Sequence, residues 1–119
     1  MEIFVKYGGM PFWSDFIDQF YERVMKDSGL REFFIGRNVR RIKEMQLGLL
    51  EMTLTGSRFP EDVMKQTHAT LGITKADFDH FLDLYGETLL ELGVEQSDIT
   101  YMVDLLVVYR SQVAQGDEE

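Results

Sequence analysis

The segment Glu61-Asp62-Val63-Met64-Lys65-Gln66-Thr67-His68-Ala69 constrains this chain more than any other. Val63, Met64, Thr67 and His68 recur at helical spacing, so the segment reads as a short amphipathic helix with His68 on its apolar stripe. His68 is one of two histidines. An imidazole so placed either hydrogen-bonds a carbonyl as an ordinary core residue or offers a ring nitrogen to something bound. Three signals lie upstream in a fixed order: Phe20-Tyr21, Phe33-Phe34, and Gln46 on a greasy helix face. An imidazole, two polar groups and an aromatic pair aimed at one interior make a sensible pocket. They make poor sense as a plain helical core.

The chain around that segment reads as helix throughout. Downstream, Gly72 is a stop, and Thr74 with Asp77 resembles a capping box with Asp in place of Glu. A long pattern follows in Phe78, Phe81, Leu82, Tyr85, Leu89 and Leu92, ended by Gly93. Ser97 or Asp98 starts the last helix, which carries Ile99, Met102, Val103, Leu106, Tyr109 and Val113; the polar tail Gln115 to Glu119 is expected to fray. Upstream, the loop Ser57 to Pro60 follows a stop at Gly56. Asn38 is a good N-cap for the helix bearing Val39, Ile42, Gln46, Leu49, Leu50 and Thr53. The first long helix follows Gly8-Gly9, tolerates Pro11 in its first turn, carries Trp13, Phe16, Ile17, Phe20, Tyr21 and Val24, and ends at Ser28-Gly29. Leu30 to Phe34 reads as a single short turn closed by Gly36. No window alternates with period two, and hairpin dipeptides are absent. The expectation is an all-α fold of four long amphipathic helices and two short connectors, the last two long helices packed antiparallel.

With 119 residues and 45% hydrophobic content, the chain suits one domain over 1–119 with one core. Apolar runs fall short of the ~18 residues that cross a bilayer. Residues Met1 to Tyr7 lack the charged lead, long apolar stretch and small-residue cleavage site of a secretion signal, so the expected location is cytoplasmic. The absence of cysteine excludes disulfides, thiolate metal sites and cysteine nucleophiles. A net charge of -9 repels phosphate backbones and anionic lipid heads, which argues against nucleic acid and membrane surfaces. Nothing in the sequence demands a second copy, and a monomer is expected.

His68 has no partner at metal-ligand spacing. His80 lies twelve residues on, in another helix, and reads as a surface or rim residue. One imidazole cannot hold a metal unaided, whereas a porphyrin brings four ligands of its own and needs only an axial one. Tyr21 is either a core tyrosine with its hydroxyl at the edge or a donor aimed at a ligand. Gln46 is flanked by Ile42, Leu49 and Leu50, and a buried amide without a partner costs about 1–3 kcal/mol. A backbone carbonyl, a water, or Tyr21 together with a ligand would satisfy it. Phe33, Phe34 and Met64 are packing residues, or the floor and walls that a flat macrocycle needs. Arg37, Arg40, Arg41 and Lys43 fall within seven residues. They form a solvated helix face or pair with heme propionates, and Lys65 is another candidate for the latter.

At this point the order of residues resembles the truncated hemoglobins, the short two-over-two globins, and within them group I. The strings that carry the resemblance are Gly8-Gly9, Phe20-Tyr21-Glu22-Arg23-Val24, Leu30 through Phe33-Phe34, Gln46, Met64-Lys65-Gln66-Thr67-His68, Gly72-Ile73-Thr74, Phe78-Asp79 and Leu92-Gly93-Val94. They run from about Tyr7 to Val113. The resemblance implies a two-over-two helical sandwich enclosing heme b, with His68 as the proximal iron ligand. It implies that Tyr21 and Gln46 hydrogen-bond a bound gas and that Phe34 wedges the heme. Ile42 stands where other globins often place a distal histidine. Met64, Ile73, Phe78 and Phe81 fall at heme-contact positions. Three places depart from the family: Gly56 stands alone where a glycine pair is usual, Leu50 replaces a phenylalanine that gates a tunnel in some members, and Met45 occupies a site where some members carry an internal iron ligand.

The function so implied is reversible binding of oxygen, nitric oxide and carbon monoxide on ferrous heme, with the Tyr21 and Gln46 donors retaining the ligand. An alternative is nitric oxide dioxygenase activity served by a separate reductase. A third reading, without the resemblance, is a cofactor-free helical interaction domain.

Overall fold

A computed structural model describes residues 2–116. In chain order its helices are α1 (Ile3–Lys6), α2 (Met10–Lys26), α3 (Ser28–Arg31), a 3-10 turn (Glu32–Phe34), α4 (Val39–Leu54), α5 (Glu61–His68), α6 (Lys75–Glu91), α7 (Gln96–Val107) and α8 (Arg110–Val113). Among the described residues there is no strand.

Two of the expected start signals act as read, whereas the last long helix starts at Gln96, with Glu95 at its cap position, ahead of the expected Ser97 or Asp98. Asn38 caps α4, its side-chain oxygen accepting from the Arg41 amide at 3.1 Å. Thr74 and Asp77 form the reciprocal box at the head of α6: Thr74 Oγ1 accepts from the Asp77 amide at 3.1 Å, and Asp77 Oδ2 from the Thr74 amide at 3.0 Å. After α4, Gly56 takes φ +101°, a region that only glycine enters cheaply, and the Ser57 amide reaches back to the Met52 carbonyl at 2.9 Å. A single glycine suffices for that turn.

Two further boundaries differ from the sequence reading. Ser28-Gly29 opens a helix rather than closing one, because Asp27 Oδ1 accepts from both the Gly29 and Leu30 amides at 3.0 Å and so nucleates α3. The last helix is also not continuous to Val113. It stops at Val107, and Tyr109 turns into the core, 2% exposed, with its hydroxyl donating to the Phe59 carbonyl at 2.7 Å. That long-range bond pulls the chain off the helical path before α8 resumes.

Helix α2 packs on α4 and on α6, and α6 packs on α7. These pairings make the two-over-two sandwich expected from the sequence. The wall between α2 and α6 is aromatic. Phe16 and Phe20 meet the Tyr85 ring edge-on at centroid distances of 5.1 and 5.2 Å, and Phe20 meets Phe81 at 4.9 Å. Trp13, Phe16 and Phe20 are fully buried, each contributing about 1.5–3 kcal/mol of transfer free energy or more, so α2 is the spine of the fold.

Helix α5 is different. It buries only Met64 and is held from behind by the C-terminal segment. The Gln115 side-chain amide donates to the Lys65 carbonyl at 2.9 Å, and the Gly116 amide donates to the Ile73 carbonyl at 2.7 Å. Of the tail expected to fray, Gln115 and Gly116 are therefore tied down. Residues 117–119 lie outside the described part.

Candidate functional site

The predicted site residues come from five successive pieces of chain. Helix α2 supplies Tyr21, the 3-10 turn Phe33 and Phe34, α4 supplies Arg41, Ile42, Met45 and Gln46, α5 supplies Met64, Lys65 and His68, and the loop into α6 with the first turns of α6 supplies Ile73, Phe78 and Phe81.

His68 is half-buried at the last turn of α5. Its Nδ1 lies 2.7 Å from the Met64 carbonyl, one helical turn back. A carbonyl oxygen only accepts, so Nδ1 is the donor, and in the neutral ring Nε2 keeps its lone pair. Thr67 Oγ1, 3.0 Å from Nδ1, also donates to the Met64 carbonyl at 3.1 Å, so it faces the same nitrogen with a lone pair. The ring is held by two groups on one side, and Nε2 has no partner among the described residues.

Tyr21 is 2% exposed, its ring edge-on to Phe20, Phe34 and Phe81 at 5.1, 5.6 and 6.4 Å. Its hydroxyl makes no hydrogen bond among the described residues. It is not sealed in either: the one sealed side-chain polar atom lacking a partner there is Gln112 Oε1. Burial pushes the phenol well above its usual pKa, and the Tyr85 phenol opposes its ionisation further. Tyr21 thus stays an O–H donor. Gln46 is half-buried on α4, likewise without a protein partner among the described residues, and lines a small cavity between α4, α6 and α7.

The remaining residues sort by burial. Ile42, Phe33, Phe34, Ile73 and Phe81 are half-buried, the state of residues that wall an interior open on one side. Met64 and Phe78 are buried, Phe78 in a second apolar cluster with Leu82 and Ala114. Met45 is 59% exposed, off the buried stripe of α4. Arg41 and Lys65 are exposed and make no ion pair among the described residues, nor does Arg37. The other two members of the basic run are engaged, Lys43 with Asp18 at 2.9 Å and Arg40 with Glu44 at 3.8 Å. His80 is a rim residue as read, with a partner the sequence did not reveal: its Nε2 lies 2.6 Å from Asp27 Oδ2.

The donor set fits heme. It offers one nitrogen with a free lone pair, two polar groups that the protein leaves unpaired, aromatic walls and unpaired cations at the surface. Among the described residues no three histidine, acidic or cysteine side chains gather to hold a bare metal ion.

Residues 2–115 match the bacterial-like globins. The chain belongs to that family. This globin is 27% identical over 116 residues to a group 1 truncated hemoglobin from Mycolicibacterium paratuberculosis, covering 97% of this chain and 85% of that protein. A group 1 truncated hemoglobin from Tetrahymena thermophila is 26% identical over 98 residues, covering 82% and 81%. The crystal structure of the 2/2 hemoglobin from Synechococcus sp. PCC 7002, in the cyanomet state and with covalently attached heme, superposes with a TM-score of 0.86 at 26% identity over 97% of this globin and 99% of that chain. The resemblance to group I and the two-over-two fold are thereby borne out. Heme is the cofactor, and the family's ligands are gases such as oxygen. The cofactor-free interaction domain is set aside. No helix among the described residues is long and apolar enough to cross a membrane.

Sequence reasoning missed the mooring of α5. Tyr109, Gln115 and Gly116 fix the helix that carries His68, and only Tyr109 left a trace, as an apolar-stripe tyrosine whose hydroxyl needed a partner.

Proposed function

We propose that this globin binds heme b through His68 Nε2 and retains a gas ligand with two hydrogen-bond donors, Tyr21 and Gln46. The observation that carries this reading is the 2.7 Å bond from His68 Nδ1 to the Met64 carbonyl, which fixes the tautomer and aims the basic nitrogen outward. When bound, heme supplies ferrous iron that takes up oxygen, nitric oxide and carbon monoxide reversibly. The protein's part is to hold the ring and to set donors where charge gathers on the ligand. Ile42, Phe33, Phe34, Met64, Ile73, Phe78 and Phe81 form its apolar surround, and Arg41 and Lys65 are the cations for its propionates. Met45, exposed and off the stripe, is a rim contact rather than an internal iron ligand. With no cysteine in the chain, a thioether link to the heme is unavailable.

The test is reconstitution of the purified chain with heme. The wild type gains a Soret band with one heme per chain. His68→Gly loses it and regains it with added imidazole. Normal pigment and gas uptake in His68→Gly without imidazole would overturn the assignment.

The same two donors favour a second reading, nitric oxide dioxygenase activity with electrons from a separate reductase. Rapid, stoichiometric nitrate on mixing the reduced, oxygen-saturated protein with nitric oxide supports it; slow or absent nitrate leaves reversible binding alone.

A further inference from the structure

The cavity beside Gln46 is not a plain apolar void. It holds about 10 Å³ between α4, α6 and α7, and three of its lining residues are polar: Gln46, Thr53 and Tyr85. The Tyr85 ring is clamped edge-on by Phe16 and Phe20, and the residue is 4% exposed. Its hydroxyl makes no hydrogen bond among the described residues, yet it is not a sealed atom. The residue lines the cavity, and its hydroxyl keeps some accessible surface. Thr53 Oγ1 donates to the Leu49 and Leu50 carbonyls at 3.0 and 3.2 Å and keeps its lone pairs for another donor. One water needs about 10–15 Å³ and two to four polar partners, and this cavity offers both.

The arrangement bears on an ambiguity that any glutamine carries. Its amide accepts at one end and donates at the other, and only the NH2 end serves a ligand that accepts. Something has to hold the oxygen end. Among the side chains lining this cavity, Tyr85 brings the O–H that no protein group uses.

We propose that Tyr85 is a positioning residue: through a single water in this cavity its hydroxyl anchors the Gln46 carbonyl oxygen and leaves the NH2 group turned toward the ligand. The inference rests on the proposed donor role of Gln46. It gives the α4–α6–α7 cavity the job of orienting a side chain, with water as its occupant.

The test compares heme-loaded wild type with Tyr85→Phe, Gln46→Leu and the double variant. Two quantities are read: the C–O stretching frequency with carbon monoxide bound, and the oxygen dissociation rate. Phenylalanine keeps the clamped ring and removes only the hydroxyl. Tyr85→Phe raises the stretching frequency and speeds oxygen loss by about two- to tenfold, the range for one net hydrogen bond. The double variant matches Gln46→Leu alone, as expected when one residue acts through the other. An unmoved frequency in Tyr85→Phe beside a shifted Gln46→Leu overturns the relay and leaves the role of Gln46 standing. So do additive effects in the double variant, or a lowered melting temperature with no spectral change. A silent Gln46→Leu removes the donor role and the relay with it.

Discussion

Replacing Tyr21 by phenylalanine separates ligand stabilisation from folding. The hydroxyl has no partner among the described residues, so its loss breaks no protein hydrogen bond. The ring contacts with Phe20, Phe34 and Phe81 survive in phenylalanine. Stability should therefore hold, since neither a protein hydrogen bond nor a ring contact is lost. Ligand retention should fall. A hydrogen bond to an acceptor that carries charge is worth about 1.5–3 kcal/mol, and about 1.4 kcal/mol is tenfold, so oxygen dissociation should accelerate about 10- to 150-fold. The effect should be flat from about pH 5 to 9, because burial holds the phenol protonated above its ordinary range. Stopped-flow replacement of oxygen by carbon monoxide measures the rate, and a thermal melt measures stability. An acceleration under threefold refutes the donor assignment. A fall in melting temperature matching the kinetic change would show that Tyr21 acts through the fold instead.

Two further outcomes follow from contacts outside the pocket. The bond to Asp27 raises the pKa of His80, with smaller contributions from the Asp27, Asp83 and Glu87 charges, and the same bond lowers that of Asp27. The His80 share of stability is thus full below about pH 6.5 and lost as pH rises through the raised value; the Asp27 share is lost only as acid protonates the carboxylate. An NMR titration should find His80 above its ordinary pKa and returned toward it in Asp27→Asn, which keeps the α3 cap; an unchanged midpoint would disprove the pairing. Gly116→Ala would set a Cβ about 2.5 Å from the Gly72 carbonyl oxygen, so the C-terminal segment must shift off the Gly72–Ile73 backbone that follows α5. Faster heme transfer to an acceptor apoprotein is the expected result, and an unchanged rate would show that this segment does not brace His68.

Periodicity and end signals were enough to place the long helices to within a few residues at most ends, because capping is local chemistry: Asn38, Thr74 with Asp77, and Gly56 act through atoms within a few residues of themselves. The same locality put Tyr21, Gln46 and His68 on inward faces. Their grouping into one pocket, and its heme, entered through resemblance to a family, since no spacing within one helix reports a neighbour on another.

The sequence by itself therefore determined an all-helical chain with an isolated imidazole and two stranded polar side chains on its apolar stripes. Only the tertiary structure decided which ring nitrogen of His68 is free, that Tyr109 breaks the last helix to reach Phe59, that Asp27 answers to His80, and that Tyr85 shares a cavity with Gln46. Each of these except the first joins residues far apart in the chain. The first depends on a ring orientation that the residues around it impose.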